Sequence, residues 1–195
     1  VDGMKLSETQ CVGCGQCIQS CPAGAIQVKS SADKILEAIR DENTVVIAQI
    51  APSVRVGISS ELGMPAGENA LGLIINLLHR IGFDKVYDTT VGADLTIIEE
   101  AKELLERLNS GGRLPLLTSC CPAWVKFCET RYPEFAANIS TCRSPHQMLG
   151  AVIRRDFDRN PEMQGKKLVN VSVMPCTAKK DEILRKESMT NGIQD

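Results

Sequence analysis

The sequence is poor in the features that mark nucleic-acid-binding, membrane-spanning and secreted proteins. Aromatic residues make up only 4% of the 195 residues, too few for a platform on which bases stack. The formal net charge is −2, so no basic surface for nucleic acid or acidic lipid is expected. No apolar run approaches the roughly 20 residues that cross a bilayer, and no signal segment opens the chain. These absences favour a cytoplasmic protein without nucleic-acid or membrane partners.

Cysteine, by contrast, is abundant. The chain has nine cysteines, an odd number, and 43% apolar residues, enough for one core and a small appendage. Four of the cysteines lie within 11 residues, between Cys11 and Cys21. In a protein of a reducing compartment, such a cluster favours metal binding over a disulfide framework.

The clustered cysteines follow the pattern C-x2-C-x2-C-x3-C-P, formed by Cys11, Cys14, Cys17, Cys21 and Pro22. This is the bacterial ferredoxin pattern for a [4Fe–4S] cluster, whereas a zinc site would need two separated cysteine pairs. Gly13 and Gly15 allow the backbone to turn tightly around the cluster. In two-cluster ferredoxins the cysteine before proline binds the other cluster. Cys21 therefore binds either a local or a second cluster, and the second case makes residues 1–29 half of a two-cluster domain.

Beyond residue 30, apolar runs of strand length alternate with segments of helical pattern. Strands are predicted at 45–50, 85–89, 114–117 and 167–173, and helices at 31–43, 65–81, 94–109, 122–131, 145–158 and 178–186. Gly92 is expected to separate the second strand from its helix. The order predicts an α/β fold, a doubly wound and mostly parallel sheet with helices on both faces. The loops at 51–53, 91–92, 119–121 and 175–176 would then converge at one sheet edge.

Two of these loops carry cysteine at a corner between a predicted strand and a helix. Cys120 and Cys121 are followed by Pro122, which can open a helix, and Cys176 follows Pro175. Two cysteine corners at the same sheet edge predict one shared metal site.

Several segments resemble those of the [FeFe]-hydrogenases. Residues 118–124 and 174–182 are similar to the first two signature motifs of that family, and 51–55 and 92–96 resemble further family blocks. Residues 11–22 resemble the accessory ferredoxin-type segment that lies before the catalytic domain. The resemblance implies a ferredoxin-like segment at 1–29 and the N-terminal part of the catalytic domain at 30–195.

The resemblance implies reversible reduction of protons to H2 at the H-cluster. This cofactor is a [4Fe–4S] cubane bridged by a cysteine to a diiron unit with CO, cyanide and a dithiolate amine. By the same resemblance, Cys121 and Cys176 ligate the cubane, and Cys120 donates protons to the bridging amine. Adjacent residues on an extended segment point opposite ways, which suits one ligand beside one free thiol. The third signature motif is absent from these 195 residues, so this piece alone is expected to be inactive.

The resemblance also implies a proton path through Glu100, Ser140, Glu103 and Arg107. Glu100 and Glu103 are three apart on a predicted helix and share a face. By sequence alone, a solvated surface with an ordinary Glu103–Arg107 pair is the better explanation of these charges, and the resemblance is what favours the proton path.

Further residues are expected around the diiron unit. By the resemblance, Lys179 bonds one cyanide, Pro52 and Ser53 line the other, and Met174 packs against the cluster. Without it, Lys179 would be a solvated lysine and Met174 core filler. Cys128 and Cys142 match no ligand of the motifs and are interpreted as small apolar or incidental thiols.

The sequence leaves three other functions open: a hydrogen sensor with the same cofactor, an iron–sulfur assembly protein that carries clusters, and a plain electron-transfer module. The presence of both Cys120 and Cys121, with Glu100, Glu103 and Ser140, argues against the last two, which need no proton path. H2 and protons are the expected substrates. The expected electron partner is ferredoxin or a subunit that uses NAD(H).

Overall fold

The computed structural model describes residues 3–185, 189–190 and 193–194. The chain divides into two compact units. The first, here the cysteine unit, comprises Val1–Val28, Asp94–Ser144 and Cys176–Gln194. The second, here the sheet unit, comprises Lys29–Ala93 and Pro145–Pro175.

Two or more helices lie between successive strands of the series β1, β2 and β3 along the chain. The helices are α1 (Gln16–Ser20), α2 (Ala32–Arg40), α3 (Val54–Gly57), α4 (Leu71–Ile81), α5 (Thr90–Ser110), α6 (Pro122–Arg131), α7 (Pro145–Arg159) and α8 (Lys179–Glu182). The strands are β1 (Thr44–Ile50), β2 (Lys85–Asp88), β3 (Lys167–Val173), β4 (Met189–Thr190) and β5 (Ile193–Gln194). Short 3-10 turns lie at Leu6–Glu8, Ser60–Leu62, Pro133–Asn138 and Pro161–Met163.

The sheet unit is built on a three-stranded parallel sheet in the order β2–β1–β3. The central strand β1 is buried from Val45 to Ile50, which explains why this stretch is apolar apart from Gln49. On one face, Val45 and Ile47 pack against Leu149 and Ile153 of α7. On the other face, the core comprises Val46, Ala48 and Phe83, with Ile35 and Ile39 of α2 and Leu78 of α4. Helices therefore cover both faces, and the predicted α/β class with a parallel sheet is confirmed.

The predicted strand at 114–117 is wrong. Leu117 forms a single isolated parallel bridge with Ile139, and neither residue belongs to the sheet. Pro115 has no N–H to donate to a ladder, so a four-residue apolar run around it makes a poor strand. The carboxyl ends of β1, β2 and β3 share one edge, but the loop at 119–121 does not follow a strand of this sheet.

The segments predicted as helices are helical in the structure, but several of the helices begin or end at other residues than predicted. Gly82 ends α4 in a left-handed conformation with φ 119°, as expected, but the helix begins at Leu71 rather than at residue 65. Gly92 was expected to precede α5, whereas the helix runs through it from Thr90. The predicted helix at 31–43 ends at Arg40. Helix α8 is shorter than predicted, and the predicted end at Lys186 lies outside the described residues.

Among the described residues, no helix combines the length and the apolar character that a membrane crossing needs.

Candidate functional site

The first cysteine motif forms a tight loop in the cysteine unit. Cys14 and Cys17 are exposed, and Cys11 and Cys21 are half-buried. Gly13 and Gly15 have φ of 69° and 79°, which residues with a side chain rarely adopt. Gly15 is the N-cap of α1, so the turn that begins this helix depends on glycine.

The backbone around Cys21 favours the thiolate form. Hydrogen bonds from the backbone N–H groups of Ala25 and Ala23 lower the pKa of the Cys21 thiol below its ordinary value of 9.0. A thiolate is the form that ligates iron, and N–H donors to sulfur are typical of iron–sulfur sites. Four thiols, two of them exposed on a glycine loop, therefore fit a [4Fe–4S] cluster.

This loop is in contact with the segment that carries Cys176. The Thr177 hydroxyl donates to the Gly13 carbonyl at 2.5 Å, across 164 residues of sequence. A Cβ on Gly15 would lie only 2.8 Å from Thr177 Oγ1. Gly15 is therefore required twice, for its φ and for this close approach. The sequence does not predict the contact between Thr177 and Gly13. The only signal that could have drawn attention to Thr177 is its position directly after Cys176.

The segment of Cys176 also contacts that of Cys120 and Cys121. Lys179 Nζ donates to the Cys120 carbonyl at 3.1 Å, and both residues belong to the cysteine unit. Cys121 is the N-cap of α6, with Pro122 at its first turn as predicted. Cys120 and Cys121 are exposed, and Cys176 is half-buried. The two signature-like segments thus lie side by side.

No group of three or more His, Cys, Asp or Glu side chains within the described part of the chain is arranged to hold a single metal ion. A cubane distributes its thiolates over four iron atoms, so it requires them further apart than one ion does. The candidate ligands are all thiols, and such a donor set fits an iron–sulfur site.

The carboxylate Glu103 on α5 is held by donors from two other segments. Ser140 Oγ donates to Glu103 Oε2 at 2.7 Å, and Arg107 forms an ion pair with Glu103. The backbone N–H of Thr141 donates to Glu103 Oε2 at 3.1 Å. Burial alone would raise the pKa of Glu103, but the hydrogen bonds from Ser140, Arg107 and Thr141 lower it below its ordinary value of 4.5. The structure therefore brings together three of the four residues of the predicted proton path.

The fourth residue, Glu100, lies one turn before Glu103 on α5. Its Oε1 is buried and has no hydrogen-bond partner among the residues that the structure describes. Burial, and then the charge of Glu100, raise the pKa of the Cys142 thiol above its ordinary value of 9.0. Cys142 is thus a neutral thiol close to this carboxylate.

The backbone of Cys142 connects Ser140 with the first cysteine corner. The Cys142 N–H donates to Ser140 Oγ at 3.1 Å, and Ser119 Oγ donates to the Cys142 carbonyl at 2.5 Å. Ser119 directly precedes Cys120. Sequence analysis assigns no site role to Ser119 and interprets Cys142 as an incidental thiol, because their contacts depend on how two distant loops approach each other.

The other candidate residues lie in the sheet unit, at the edge where its strands end. The Ala51 N–H donates to the Val173 carbonyl at 3.1 Å, so Pro52 and Met174 each follow one of two neighbouring strand ends. Pro52 and Ser53 are exposed, and Met174 is half-buried. At the same edge, Arg55 after β1 forms an ion pair with Asp88 at the end of β2, with 2.7 Å between Nη1 and Oδ2.

Two family models match the sequence. Residues 44–195 match the model described as iron only hydrogenase large subunit, C-terminal domain. Residues 4–27 match a 4Fe-4S binding domain. The first match covers more than half of the chain, and the second covers the four clustered cysteines.

Similar proteins include both hydrogenases and iron–sulfur assembly factors. The chain is 43% identical to the NADP-reducing hydrogenase subunit HndD of Solidesulfovibrio fructosivorans, over 98% of the chain and 34% of that protein. It is 27% identical to the cytosolic Fe-S cluster assembly factor NAR1 of Meyerozyma guilliermondii, over 94% of the chain and 35% of that protein.

The fold is similar to that of a solved [FeFe]-hydrogenase, HydA1 from Chlamydomonas reinhardtii. The TM-score is 0.74 at 36% sequence identity, and the match covers 84% of this chain and 42% of the solved one. The chain thus spans about a third of the length of these relatives and about two fifths of the solved hydrogenase.

Proposed function

This chain belongs to the family of iron-only hydrogenase large subunits, and on that premise we propose that it carries part of the catalytic site of an enzyme that interconverts protons and H2. The main support is the cluster of Glu103, Ser140 and Arg107. A carboxylate that meets a hydroxyl 37 residues away, beside the segment of Cys120, suits proton transfer. A protein that only carries iron–sulfur clusters does not need such a proton-transfer arrangement.

Two iron–sulfur cofactors are proposed. A [4Fe–4S] cluster on Cys11, Cys14, Cys17 and Cys21 would relay electrons, with Cys21 bound either locally or to a second cluster. Cys121 and Cys176 would supply two thiolates to the cubane of an H-cluster, and the complete polypeptide would supply the rest. When bound, the H-cluster provides the redox chemistry of hydrogen. The contact of Thr177 with Gly13 supports a close approach of the two cluster sites.

The protein's own residues would hold and move the proton. The Cys120 thiol, left free beside the ligand Cys121, would exchange a proton at its Sγ. Glu100 and Glu103 would accept and release protons at their carboxylates, with Ser140 as a hydroxyl relay between them. Arg107 donates to the Ile139 carbonyl at 3.0 Å as well as to Glu103, so it would orient this carboxylate.

The remaining residues would shape the surroundings of the diiron unit. We propose Lys179 as the cationic donor to one cyanide, since a lysine is a compact point charge with three N–H donors. Pro52 and Ser53 would line the other cyanide, and Met174 would pack against the cluster. The proposed domain boundaries are 1–29 for the ferredoxin-like segment and 30–195 for the catalytic part.

The proposed electron partner is ferredoxin or a subunit that uses a nicotinamide cofactor. The name of the relative HndD, an NADP-reducing hydrogenase subunit, supports the second choice. A cytoplasmic location is proposed because nine free cysteines suit a reducing compartment.

The test of the function is Cys120→Ala in the complete polypeptide. Because this thiol would be the proton donor, H2 production should fall by at least about 10²-fold, the usual contribution of a general acid. Iron content and the infrared bands of CO and cyanide should persist. Cys128→Ala removes a buried thiol from neighbouring α6 and is the matched control, with activity retained. Normal H2 production by Cys120→Ala would contradict the role of this thiol.

Two other functions remain as alternatives. Similarity to NAR1 over nearly the whole chain favours a non-catalytic iron–sulfur carrier as the second candidate. A hydrogen sensor with the same cofactor is the third. Infrared spectra of the matured complete protein separate them, because a carrier would lack CO and cyanide bands, and a sensor would have these bands with slow turnover.

A further inference from the structure

A buried carboxylate, Glu182, lies at the end of α8. The residue is 5% exposed, and among the residues that the structure describes it is the only buried Asp, Glu, Lys or Arg. A buried charge is strongly unfavourable unless it is paired and hydrogen-bonded. An apolar residue of similar size would generally be as stable or more stable at such a position. The carboxylate therefore calls for an explanation other than stability.

Lys179 is one partner of Glu182. The distance from Lys179 Nζ to Glu182 Oε2 is 2.8 Å, and the two side chains are 14% and 7% exposed. The pair is three residues apart on α8 and largely shielded from water, so salt screens it only weakly. It holds the long and flexible lysine side chain in one position.

The held ammonium also reaches the first cysteine corner. Lys179 Nζ donates to the Cys120 carbonyl, which belongs to the peptide between Cys120 and Cys121. An ammonium has three N–H donors. The bonds to Glu182 and to this carbonyl use two of them, and together they fix the direction of the third.

We propose that Glu182 is a positioning residue that acts through Lys179. Its carboxylate holds the Lys179 ammonium on the Cys120–Cys121 peptide, which fixes the free thiol relative to the cluster ligand and directs the remaining N–H donor. The importance of this arrangement for hydrogen chemistry rests on the proposed function, whereas the arrangement itself rests on the contacts.

The same helix offers a matched control. Asp181, next to Glu182, forms an ion pair with Lys126 at 3.1 Å, but its side chain is 55% exposed. Exposed pairs of this kind contribute little. Asp181→Asn removes the same charge from the same helix turn as Glu182→Gln, and it leaves Lys179 with both of its contacts.

The experiment compares Glu182→Gln, Asp181→Asn and the wild type in the complete polypeptide. Before cofactor insertion, an amine-acylating reagent is applied and the modification of Lys179 is quantified by mass spectrometry. Glu182→Gln should raise the labelling rate of Lys179 several-fold because the lysine is released, whereas Asp181→Asn should not. Glu182→Asp retains the charge and should return labelling towards the wild-type rate, which also covers the case that Glu182→Gln folds poorly.

After maturation, Glu182→Gln should shift the cyanide infrared bands and lower turnover by about 10–100-fold, the usual effect of losing a residue that orients a metal-site ligand. Asp181→Asn should leave both unchanged. Equal Lys179 labelling and equal cyanide bands in the two variants would overturn the role of Glu182. Absence of CO and cyanide bands in the wild type would instead overturn the proposed function, and the labelling result would still decide the position of Lys179.

Discussion

Single residues in this protein take their chemical character from their neighbours. Glu103 and Glu106 are the same residue type on the same helix, but Glu103 accepts from Ser140, Arg107 and Thr141, whereas Glu106 is exposed. The sequence pattern places Glu100 and Glu103 on one helix face, which by itself favours an ordinary solvated surface, and only the family resemblance favours a proton path. Ser140, which is 37 residues from Glu103 in sequence, donates to its carboxylate. This contact supports the proposed role of Glu103 in proton transfer, because the carboxylate lies among hydrogen-bond donors rather than in water.

Stability at acid pH should reveal the hydrogen bonds of Glu103. A carboxyl whose pKa is lowered on folding contributes stability above its ordinary pKa, here 4.5, and loses it as pH falls through the lower folded value. Glu103→Gln should reduce the free energy of unfolding near neutral pH by about 1.5–3 kcal/mol, the usual range for hydrogen bonds to a charged group. The difference from wild type should shrink as pH falls below 4.5.

The measurement is chemical denaturation of both proteins at a series of pH values. Glu106→Gln, on the exposed side of α5, serves as the control and should leave stability unchanged at every pH. A wild-type advantage over Glu103→Gln that stays constant into the acid range would show that the charge of Glu103 is not involved.

At the scale of elements, Gly92 has a different role from the one its sequence context indicated. A glycine after a short strand is typical of a break, but α5 runs through Gly92 without interruption. A Cβ at this position would lie 2.0 Å from the Pro145 carbonyl oxygen and 3.0 Å from Leu149 Cβ. The glycine therefore allows α5 to approach the start of α7 closely within the sheet unit. That approach is set by helix packing, which a single segment of sequence does not report.

Two glycine substitutions should separate packing from helix propensity. Gly92→Ala should destabilise the protein by about 1–3 kcal/mol or more, because backbone must shift to make room for the methyl group. Gly72→Ala, in the first turn of α4, meets no atom within 4 Å and should stabilise by up to about 1 kcal/mol through its better helix propensity. Thermal unfolding of the two variants measures the difference. Equal effects would mean that the contact of α5 with Pro145 is not tight.

At the scale of the whole molecule, each unit is assembled from segments that are distant in sequence. The cysteine unit joins Val1–Val28 with Asp94–Ser144 and Cys176–Gln194, so the three cysteine-bearing segments fold together. The sheet unit pairs β1 with β3, more than a hundred residues later. This interleaving explains why the ferredoxin-type loop contacts Thr177 although the sequence alone places it in a separate segment.

Loss of the accessory cluster should be separable from loss of the proposed catalytic cofactor. In the complete polypeptide, Cys14→Ser should remove about four iron atoms per molecule, because the thiol is a proposed ligand of a [4Fe–4S] cluster. The CO and cyanide bands should persist, since they belong to the diiron unit, while H2 production from an external electron donor falls. Iron analysis and infrared spectroscopy make the measurement, with Cys128→Ala as control. Disappearance of the bands together with this iron would contradict two separate cofactors.

The family, the spacing of the cysteine motifs and the elements with strong local signals can all be read from the amino-acid sequence. Strand β3 was predicted at its observed bounds, α7 begins at Pro145 as expected, and Gly82 ends α4. These features depend on neighbouring residues, through the period of apolar side chains, proline in a first turn and glycine at a left-handed position.

Which distant residues meet can be seen only in the folded molecule. It excluded residues 114–117 from the sheet, carried α5 through Gly92, and brought Glu103 to Ser140 and Lys179 to Cys120. Glu182 and Lys179 are only three residues apart in sequence, but the burial of their ion pair depends on residues from other segments. Such contacts depend on where separate segments cross. The crossing points are set by the packing within each unit rather than by any short stretch of chain.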